Sequence, residues 1–342
     1  MKIFRRILIW ILISLTAQFA GFFYINKYFL SSDTPIKAKK IVKSDTKKID
    51  VEIKIPDGAD HVNVSFDAKY VAYYDNSILK VVDTKTGAEK SVEFRDGVKV
   101  SFYKWLPDRN RMLIAEKEDS KKASNIKLVY YDVDKDVKED VKELDWADKK
   151  SEVEDIQAAP LTNIIYVKVA NSGKRSSIYW INIMKEMKKV DTRSYMIGKI
   201  RVVPHEDKLV YEDLTYKKIY VTDKDEPLTI NGINNPGLLG VDDDDKVYIG
   251  EVQGNKISKI YYGTIKEGKN DLQFIDLSNI TPNREDVYIT PKGKIYINDN
   301  LKGMVKEMGS GKEYIYQGNF LQMYDGGVVS ISDGKLSKTI FN

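Results

Sequence analysis

Seven similar segments recur along this chain of 342 residues, and they constrain its fold more than any other feature. In each copy, a turn that contains Pro, Gly, Asp or Asn leads into a short run of apolar and aromatic residues. The copies occupy residues 65–73, 106–115, 159–167, 203–211, 241–249, 290–297 and 325–331. Matching positions lie about 33 to 52 residues apart, which is typical of repeat architectures. The sequence therefore predicts a repeat protein.

The fourth copy indicates how many strands one repeat contains. Apolar runs at 199–203, 209–211, 219–221 and 228–230 are separated by turn residues, which predicts four strands joined by three turns. A four-stranded antiparallel sheet of this size cannot bury both faces alone, and radial stacking of such sheets leaves no long bare edge. We therefore expect an all-β fold, a β-propeller of about seven four-stranded blades, with six blades as the alternative count.

An N-terminal strand is expected to close the ring. The last copy, from 320 to 341, supplies only about three strands, whereas residues 49–55 form a strand that belongs to no repeat. We expect this strand to complete the last blade, because an open ring would expose strand edges and the apolar faces between blades.

The first copy also supports a family resemblance. Residues 65–73 and 79–83 read Ser-Phe-Asp-Ala-Lys-Tyr-Val-Ala-Tyr and Leu-Lys-Val-Val-Asp. This pattern resembles the WD40-like repeat of TolB-type propellers and of the N-terminal propeller of dipeptidyl-peptidase IV relatives, although Phe66 and Ala68 replace the Pro and Gly of that family. The resemblance covers most of residues 60–341 and implies the propeller fold. TolB-type propellers bind proteins, and the peptidase relatives carry catalysis on a separate hydrolase domain, for which no sequence remains after the last blade.

The N-terminus indicates a membrane segment. An uncharged run from residue 7 to 25 is long enough to span a bilayer as a helix, and Lys2, Arg5 and Arg6 precede it. Phe19 occupies the position where a signal peptidase prefers a small side chain, which favours an uncleaved signal anchor over a cleaved signal peptide. We expect residues 1–30 to form a cytoplasmic tail and transmembrane anchor, 31–48 a flexible tether, and 49–342 the propeller.

Orientation follows from the distribution of basic residues. The cluster before the apolar run predicts a cytoplasmic N-terminus and an extracytoplasmic propeller. Seven lysines between residues 27 and 48 weaken this asymmetry, and we interpret them as part of a solvated tether, with contact to lipid headgroups as the alternative.

Bulk composition excludes several functions. The formal charge of +4 comes from 55 basic and 51 acidic residues, a balance that does not predict nucleic-acid binding. The chain has no cysteine, which excludes disulfides, thiolate metal sites and a cysteine nucleophile.

Two acidic runs resemble metal sites. Residues 132–143 place acidic groups at five ligand positions of an EF-hand loop, but Val137 stands where the turn requires Gly, and a strand precedes the run. We interpret it as a hairpin turn, with calcium binding as the alternative. Residues 242–245 are four consecutive Asp, interpreted as a solvated turn, with a weak divalent-cation site as the alternative.

Catalytic motifs are not recognisable in this sequence. The only histidines are His61 and His205, and the Gly-Ser-Gly at 309–311 is interpreted as a hairpin loop. We predict no catalytic residue, no cofactor and no metal site. The aromatic residues could form a sugar-stacking or peptide-binding platform, but we expect most of them to pack between blades. They are Trp105, Trp146, Trp180, Tyr130, Tyr131, Tyr261 and Tyr262.

These observations predict a single-pass membrane protein whose propeller is a non-enzymatic scaffold for protein binding or assembly. The partner is expected at the propeller rim or the channel mouth. One alternative is a receptor for cell-wall glycan or peptide, which exposed Trp or Tyr at the channel mouth would indicate. Another is a hydrolase or lyase acting on a polysaccharide, which channel-facing carboxylates with strongly shifted pKa values would indicate.

Overall fold

The structure is a computed structural model that describes residues 2–25, 51–119, 124–146, 149–230, 233–265 and 272–341. The chain forms two compact units, residues 1–49 and 50–342. The predicted tether and the first two residues of the predicted closing strand lie outside the described residues.

The described residues of the first unit, 2–25, form one helix, α1 (Lys2–Tyr24). Its apolar part, Ile3–Tyr24, is long enough to cross the hydrocarbon core of a bilayer, which takes roughly 20 residues at a rise of about 1.5 Å each. A signal sequence has the same length and composition. The predicted apolar N-terminal helix is therefore confirmed.

The described residues of the second unit form seven antiparallel sheets, here called blades 1 to 7 in chain order. Blade 1 contains β1 (Asp60–Val64), β2 (Tyr70–Asp75), β3 (Ile78–Asp83) and β4 (Glu89–Val92). Blade 2 contains β5 (Val98–Trp105), β6 (Arg111–Asp119), β7 (Ser124–Asp132) and β8 (Val137–Trp146). Blade 3 contains β9 (Glu152–Ala159), β10 (Ile164–Asn171), β11 (Arg175–Ile181) and β12 (Met187–Lys189).

The remaining blades follow the same order. Blade 4 contains β13 (Ile197–Val202), β14 (Leu209–Asp213) and β15 (Lys218–Val221). Blade 5 contains β16 (Pro236–Val241), β17 (Lys246–Gln253), β18 (Lys256–Thr264) and β19 (Gln273–Asp276). Blade 6 contains β20 (Val287–Ile289), β21 (Ile295–Asp299), β22 (Met304–Glu307) and β23 (Glu313–Ile315). Blade 7 contains β24 (Asn319–Tyr324), β25 (Gly327–Ser332) and β26 (Lys335–Ile340). The predicted seven-bladed all-β propeller is confirmed.

The first strand of each blade lies on the inside of the ring. Strands β5, β9, β13, β16 and β20 contact one another in succession, and β1 contacts β24. First strands can meet in this way only at the centre of a radial array, so they surround the central channel.

Seven hydrophobic clusters hold the blades together, one at each interface between neighbours. Strand β14 contributes to two of them, because side chains alternate across a strand. Leu209 and Tyr211 pack against blade 3, whereas Val210 packs against blade 5, and all three are buried. Burial of an aliphatic side chain of this kind contributes about 1.5 to 3 kcal/mol, which makes these interfaces the main source of stability.

Adjacent aromatic residues follow the same alternation. Tyr130 packs between blades 2 and 3, and Tyr131 packs between blades 1 and 2. Tyr261 and Tyr262 likewise belong to the interfaces on opposite sides of blade 5. The prediction that these tyrosines fill both faces of a sheet is confirmed.

The N-terminal segment pairs with the last blade as predicted, but through one isolated bridge between Lys54 and Lys335 and not as a full strand. The Ile55 amide donates to the Gly334 carbonyl and the Leu336 amide donates to the Ile53 carbonyl, each at 2.8 Å, which adds the segment to the outer edge of β26. Ile53 and Ile55 are buried in the cluster that joins blades 7 and 1. The segment therefore supplies both backbone pairing and apolar contacts to the last blade.

Blade 4 differs from the prediction at its outer edge. The segment 228–230 is not a strand: only the Leu228 amide bonds to β15, at 2.8 Å from the Ile219 carbonyl. Leu228 and Ile230 are nevertheless buried against blade 5. The apolar pattern correctly indicated burial, but three residues after a Pro-containing turn do not maintain a hydrogen-bonded ladder.

Candidate functional site

The turns that join the first and second strands, here called the first turns, lie on one face of the ring because every blade enters it in the same orientation. They occupy residues 65–69, 106–110, 160–163, 203–208, 242–245, 290–294 and 325–326. Backbone φ is +52° at Ala68 and +73° at Gly293, a conformation that glycine adopts without strain. This requirement explains why turn residues mark the copies in the sequence.

Polar contacts connect most neighbouring first turns. They join blades 1 and 2, 4 and 5, 5 and 6, 6 and 7, and 7 and 1. The contacts are Asn110 to Asp67 (3.4 Å), the His205 amide to Asp245 (3.0 Å), the Asp243 amide to the Pro291 carbonyl (2.7 Å), Lys292 to Asp325 (3.4 Å) and the Asp325 amide to the Phe66 carbonyl (2.8 Å).

This succession of contacts is interrupted at blade 3. The first turn of blade 4 still reaches it, since Asp207 accepts hydrogen bonds from the Tyr166 hydroxyl (2.8 Å) and from Trp180 Nε1 (2.7 Å). Between the first turns of blades 2 and 3, no hydrogen bond or ion pair is formed by the residues that the structure describes. A cleft of about 630 Å³ lies there instead.

The cleft between blades 2 and 3 combines an apolar lining with an exposed apolar rim. Leu106, Val141, Pro160 and Ile164 line it, together with charged side chains. Ile183 lines it and is 69% exposed, and Leu161 and Met184, which are 65% and 75% exposed, directly follow the lining residues Pro160 and Ile183 in the chain, so we assign all three to its rim. Exposed apolar side chains grouped beside a cleft are typical of protein-binding surfaces.

Charged side chains fix two sides of this cleft. Arg111 lies 2.9 Å from Asp132 and 5.5 Å from the ring centre of Tyr130, and its Nε is buried without an acceptor among the described residues. Burial acts to raise the pKa of Asp132, but hydrogen bonds from Arg111 and from the Lys135 amide outweigh it and lower the pKa. On the opposite side, Lys185 donates to the Asp140 carbonyl at 2.7 Å and joins blade 3 to blade 2.

The acidic run at 132–143 forms the hairpin between β7 and β8, as predicted. Its first three carboxylates have separate partners within the protein. Asp132 pairs with Arg111 (2.9 Å), Asp134 with Lys69 (2.8 Å) and Asp136 with the Tyr131 hydroxyl (2.6 Å). A hairpin with divided carboxylates does not have the helix-flanked geometry of an EF-hand.

The acidic run at 242–245 forms the first turn of blade 5, but it is not uniformly solvated as predicted. Asp242 is buried: its carboxylate accepts the amides of Asp244 and Lys246, and the Tyr248 hydroxyl at 2.8 Å. Burial and the neighbouring Asp242 raise the pKa of Asp243. The run therefore builds the turn itself, and no group of three or more metal-ligating side chains occurs among the described residues.

The other sequence candidates occupy structural positions. His61 is an exposed residue of β1, and His205 lies in the first turn of blade 4 with Nδ1 3.2 Å from Asp245. Residues 309–311 form the hairpin loop between β22 and β23, as predicted.

The tryptophans do not form a common platform. Trp105 is buried between blades 1 and 2, where its ring stacks on Tyr70 with 6.3 Å between centroids. Trp180 packs between blades 3 and 4 and bonds to Asp207. The side chain of Trp146 lies outside the described residues. The packing interpretation is confirmed for Trp105 and Trp180.

A second group of charged residues lies in the central channel, on first strands. Lys104 of β5 contacts Asp155 of β9 at 2.9 Å, and Arg201 of β13 lies 3.7 Å from the other oxygen of the same carboxylate. Lys104 is deep inside the molecule, yet 39% of its side chain is accessible to solvent, which places it beside the channel. Burial lowers the pKa of Lys104, and Asp155 opposes that effect.

Lys199 of β13 belongs to the same group. Burial lowers its pKa to about 8, and the nearby Arg284 and Arg201 contribute in the same direction. On the inner strands, burial lowers the pKa of these two lysines and raises the pKa of Tyr103, Tyr288 and Tyr324. The described carboxylate with a raised pKa, Asp243, lies in a first turn.

A buried ion pair joins blades 4, 5 and 6 beside the channel. Glu212 of β14 accepts the Lys199 amide (2.9 Å) and the Leu238 amide, and it pairs with Arg284. Arg284 also donates to the Leu238 carbonyl at 2.8 Å. The pair thus satisfies backbone groups at the inner edge of blade 5.

Sequence reasoning missed both the cleft and the channel cations. The cations are basic residues interspersed in largely apolar strands, and their common signal is only their position in the first strand of a repeat. The cleft exists because the first turns of blades 2 and 3 form no polar contact among the described residues. No sequence pattern indicates which neighbouring turns will make contact.

The structure is similar to solved protein structures of low sequence identity. A chain of the Mitotic Checkpoint Complex matches with a TM-score of 0.52 at 11% identity, covering 90% of this chain and 99% of that chain. Hsv2p of Kluyveromyces lactis matches with a TM-score of 0.48 at 14% identity, covering 79% and 88% of the two chains. Hydrazine synthase of Kuenenia stuttgartiensis matches with a TM-score of 0.47 at 16% identity, covering 77% and 80%.

Neither a protein-family model nor a curated protein matches the sequence. At such identities a structural likeness shows the fold alone. Together with the seven sheets, it shows that the chain has the β-propeller fold. The narrower resemblance to TolB-type and dipeptidyl-peptidase IV propellers stays a prediction.

Proposed function

We propose that this protein is a membrane-anchored β-propeller that acts outside the cytoplasm as a non-enzymatic scaffold, and that it holds a partner protein in the cleft between blades 2 and 3. The observation that carries the proposal is the exposed apolar rim of Leu161, Ile183 and Met184 beside an apolar-lined cleft. Apolar side chains that are exposed in the free protein and grouped at a depression are the usual anchors of a protein interface.

The anchoring part of the proposal rests on α1. Its apolar length suffices for one crossing, and Lys2, Arg5 and Arg6 lie at its N-terminal end. Basic residues on that side favour retention of the N-terminus in the cytoplasm and export of the remainder. Phe19 at the candidate cleavage position favours retention of the helix in the mature protein.

The test is site-specific photocrosslinking in intact cells of the native producer, with the crosslinking residue placed at position 183. We expect one protein partner, identified by mass spectrometry, in near-stoichiometric yield. Position 301 is a matched control, because Leu301 is a fully exposed apolar residue in a turn of blade 6. Crosslinking there is expected to give no defined product.

A charge-introducing variant checks specificity. Ile183→Asp should abolish the crosslink when the probe is moved to position 161, whereas Leu301→Asp should leave it unchanged. Identical product patterns at positions 183 and 301, or a partner that survives Ile183→Asp, would contradict the cleft as the binding site. Recovery of the protein with wall glycan attached, and without a protein partner, would favour the receptor alternative.

A further inference from the structure

We propose that the central channel contains a binding site for an anionic group, a carboxylate or a phosphate, formed by Lys104, Lys199 and Arg201. This site is separate from the cleft between blades 2 and 3. Its ligand would enter along the channel and not through the cleft. Evidence against one of the two proposals would therefore leave the other unaffected.

The first argument is an imbalance of charge. Asp155 is the carboxylate that neutralises both Lys104 and Arg201. Its two oxygens also accept the Gln157 amide at 3.0 and 2.8 Å, so its hydrogen-bonding capacity is largely used. Two cations therefore share one carboxylate at this point of the channel, and Lys199 lies near the second of them, Arg201.

The second argument is the position of Lys199. Its ammonium group forms no hydrogen bond or ion pair with the part of the chain that the structure describes. The two nearby charges that could compensate it are engaged elsewhere, because Glu212 pairs with Arg284 and Glu285 accepts the Asn255 amide at 3.3 Å. An ammonium group held among protein atoms without a counter-ion is unfavourable, and an anion in the channel would relieve that cost.

The third argument is space for the remainder of a ligand. A cavity of about 270 Å³ adjoins Lys104 on the inner side of blades 1, 2 and 7. His61 and Asn63 line it and offer hydrogen-bonding groups, while Tyr74 and Trp105 supply aromatic surface. The cavity is slightly smaller than the roughly 300 Å³ at which ligand sites typically begin, so it suits a small anion and not a large one.

The test is isothermal titration calorimetry on the full-length protein in detergent, with inorganic phosphate and succinate as probes against a constant chloride background. We expect saturable binding of at least one probe. Lys104→Met and Lys199→Met should each weaken it about tenfold or more. Lys85→Met, which removes an exposed lysine in a turn of blade 1, should leave it unchanged.

The two probes distinguish the ligand classes. Binding of phosphate alone indicates a phosphate group, and binding of succinate alone indicates a carboxylate. Absence of saturable binding for both, or equal affinity in Lys104→Met, Lys199→Met and the unmodified protein, would overturn the proposal.

A second measurement concerns proton uptake. With a pKa of about 8, Lys199 is partly deprotonated in the free protein at pH 8, so binding of an anion there should be accompanied by proton uptake. Uptake is detected by titration in two buffers that differ in ionisation enthalpy, and affinity should fall as the pH rises above 8. The other charged groups around this point are Asp155, Arg201, Glu212, Arg284, Glu285 and Lys104, and the pKa of Lys104 is also lowered by burial, so the uptake is compared with that of Lys199→Met. Binding without proton uptake at pH 8 would contradict the participation of Lys199.

Discussion

At the scale of single residues, Glu212 is the polar side chain whose loss we expect to lower the stability of the ring most. It is buried and accepts two backbone amides as well as the Arg284 guanidinium, so it connects three blades. Surface pairs such as Lys292 with Asp325 are exposed and worth little by comparison.

Glu212→Ala is therefore expected to lower the free energy of unfolding by about 3 to 5 kcal/mol. The variant leaves the half-buried Arg284 charged and without its carboxylate, and it also removes the acceptor of two amides. Denaturant unfolding followed by circular dichroism measures the loss. Lys292→Ala should change the free energy of unfolding very little. An equal loss in the two variants would show that the Glu212–Arg284 pair contributes no more stability than a surface pair.

Lys199 is expected to make the free energy of unfolding rise with pH. Its pKa is about 8 in the folded protein, whereas the usual pKa of a lysine in water is 10.5. Between these values the unfolded chain holds more protons, so the free energy of unfolding rises with pH, by at most about 1.4 kcal/mol per pH unit for this one group. The lowered pKa of Lys104 acts in the same direction.

The expected outcome is a stability that increases from pH 8 to about 9.5. Above that range buried tyrosines oppose the trend, because burial and Glu89 raise the pKa of Tyr73 to about 12. In Lys199→Met the increase should be smaller, and the variant should be more stable than the unmodified protein at pH 7. An unchanged slope in Lys199→Met would refute the assignment, and Lys85→Met serves as the control.

At the scale of elements, the closing segment and the missing strand of blade 4 show what a local sequence pattern can predict. It predicts burial in both segments, but not whether a strand forms. Alternation in 49–55 predicted a strand, and Ile53 and Ile55 are indeed buried while their backbone groups bond to β26. In 228–230 the same kind of alternation predicted a strand that does not form. Apolar alternation reports which side chains are buried, but a ladder also needs length and a partner strand in register.

Deletion of residues 48–55 should cost far more stability than deletion of residues 31–45. The former removes two backbone hydrogen bonds and two buried isoleucines from the interface of blades 7 and 1, and opens the ring. Thermal unfolding of the two deletion variants measures the difference, and we expect a lower Tm only for the first. Equal melting temperatures would show that the segment does not lock the ring.

At the scale of the whole molecule, the lack of cysteine allows a clean test of topology. A single cysteine introduced at the exposed position 85 should react with a membrane-impermeant maleimide in intact cells, because the propeller is proposed to lie outside the cytoplasm. A cysteine introduced at position 2 should react only after the membrane is permeabilised. The reverse pattern would place the propeller in the cytoplasm.

The sequence by itself determined the propeller architecture with about seven blades, the positions of the turns, the closing segment and the apolar N-terminal helix, and the structure fixed the count at seven. These features depend on local chemistry: Ala68 and Gly293 lie in turns with positive φ, and adjacent tyrosines alternate across a strand. Only the tertiary structure decided the cleft between blades 2 and 3, the channel cations and the pairing of Glu212 with Arg284. That pair is 72 residues apart, and the Lys104–Asp155 contact joins two blades, so no local pattern encodes either. Such contacts exist only once the blades have been brought together around the ring.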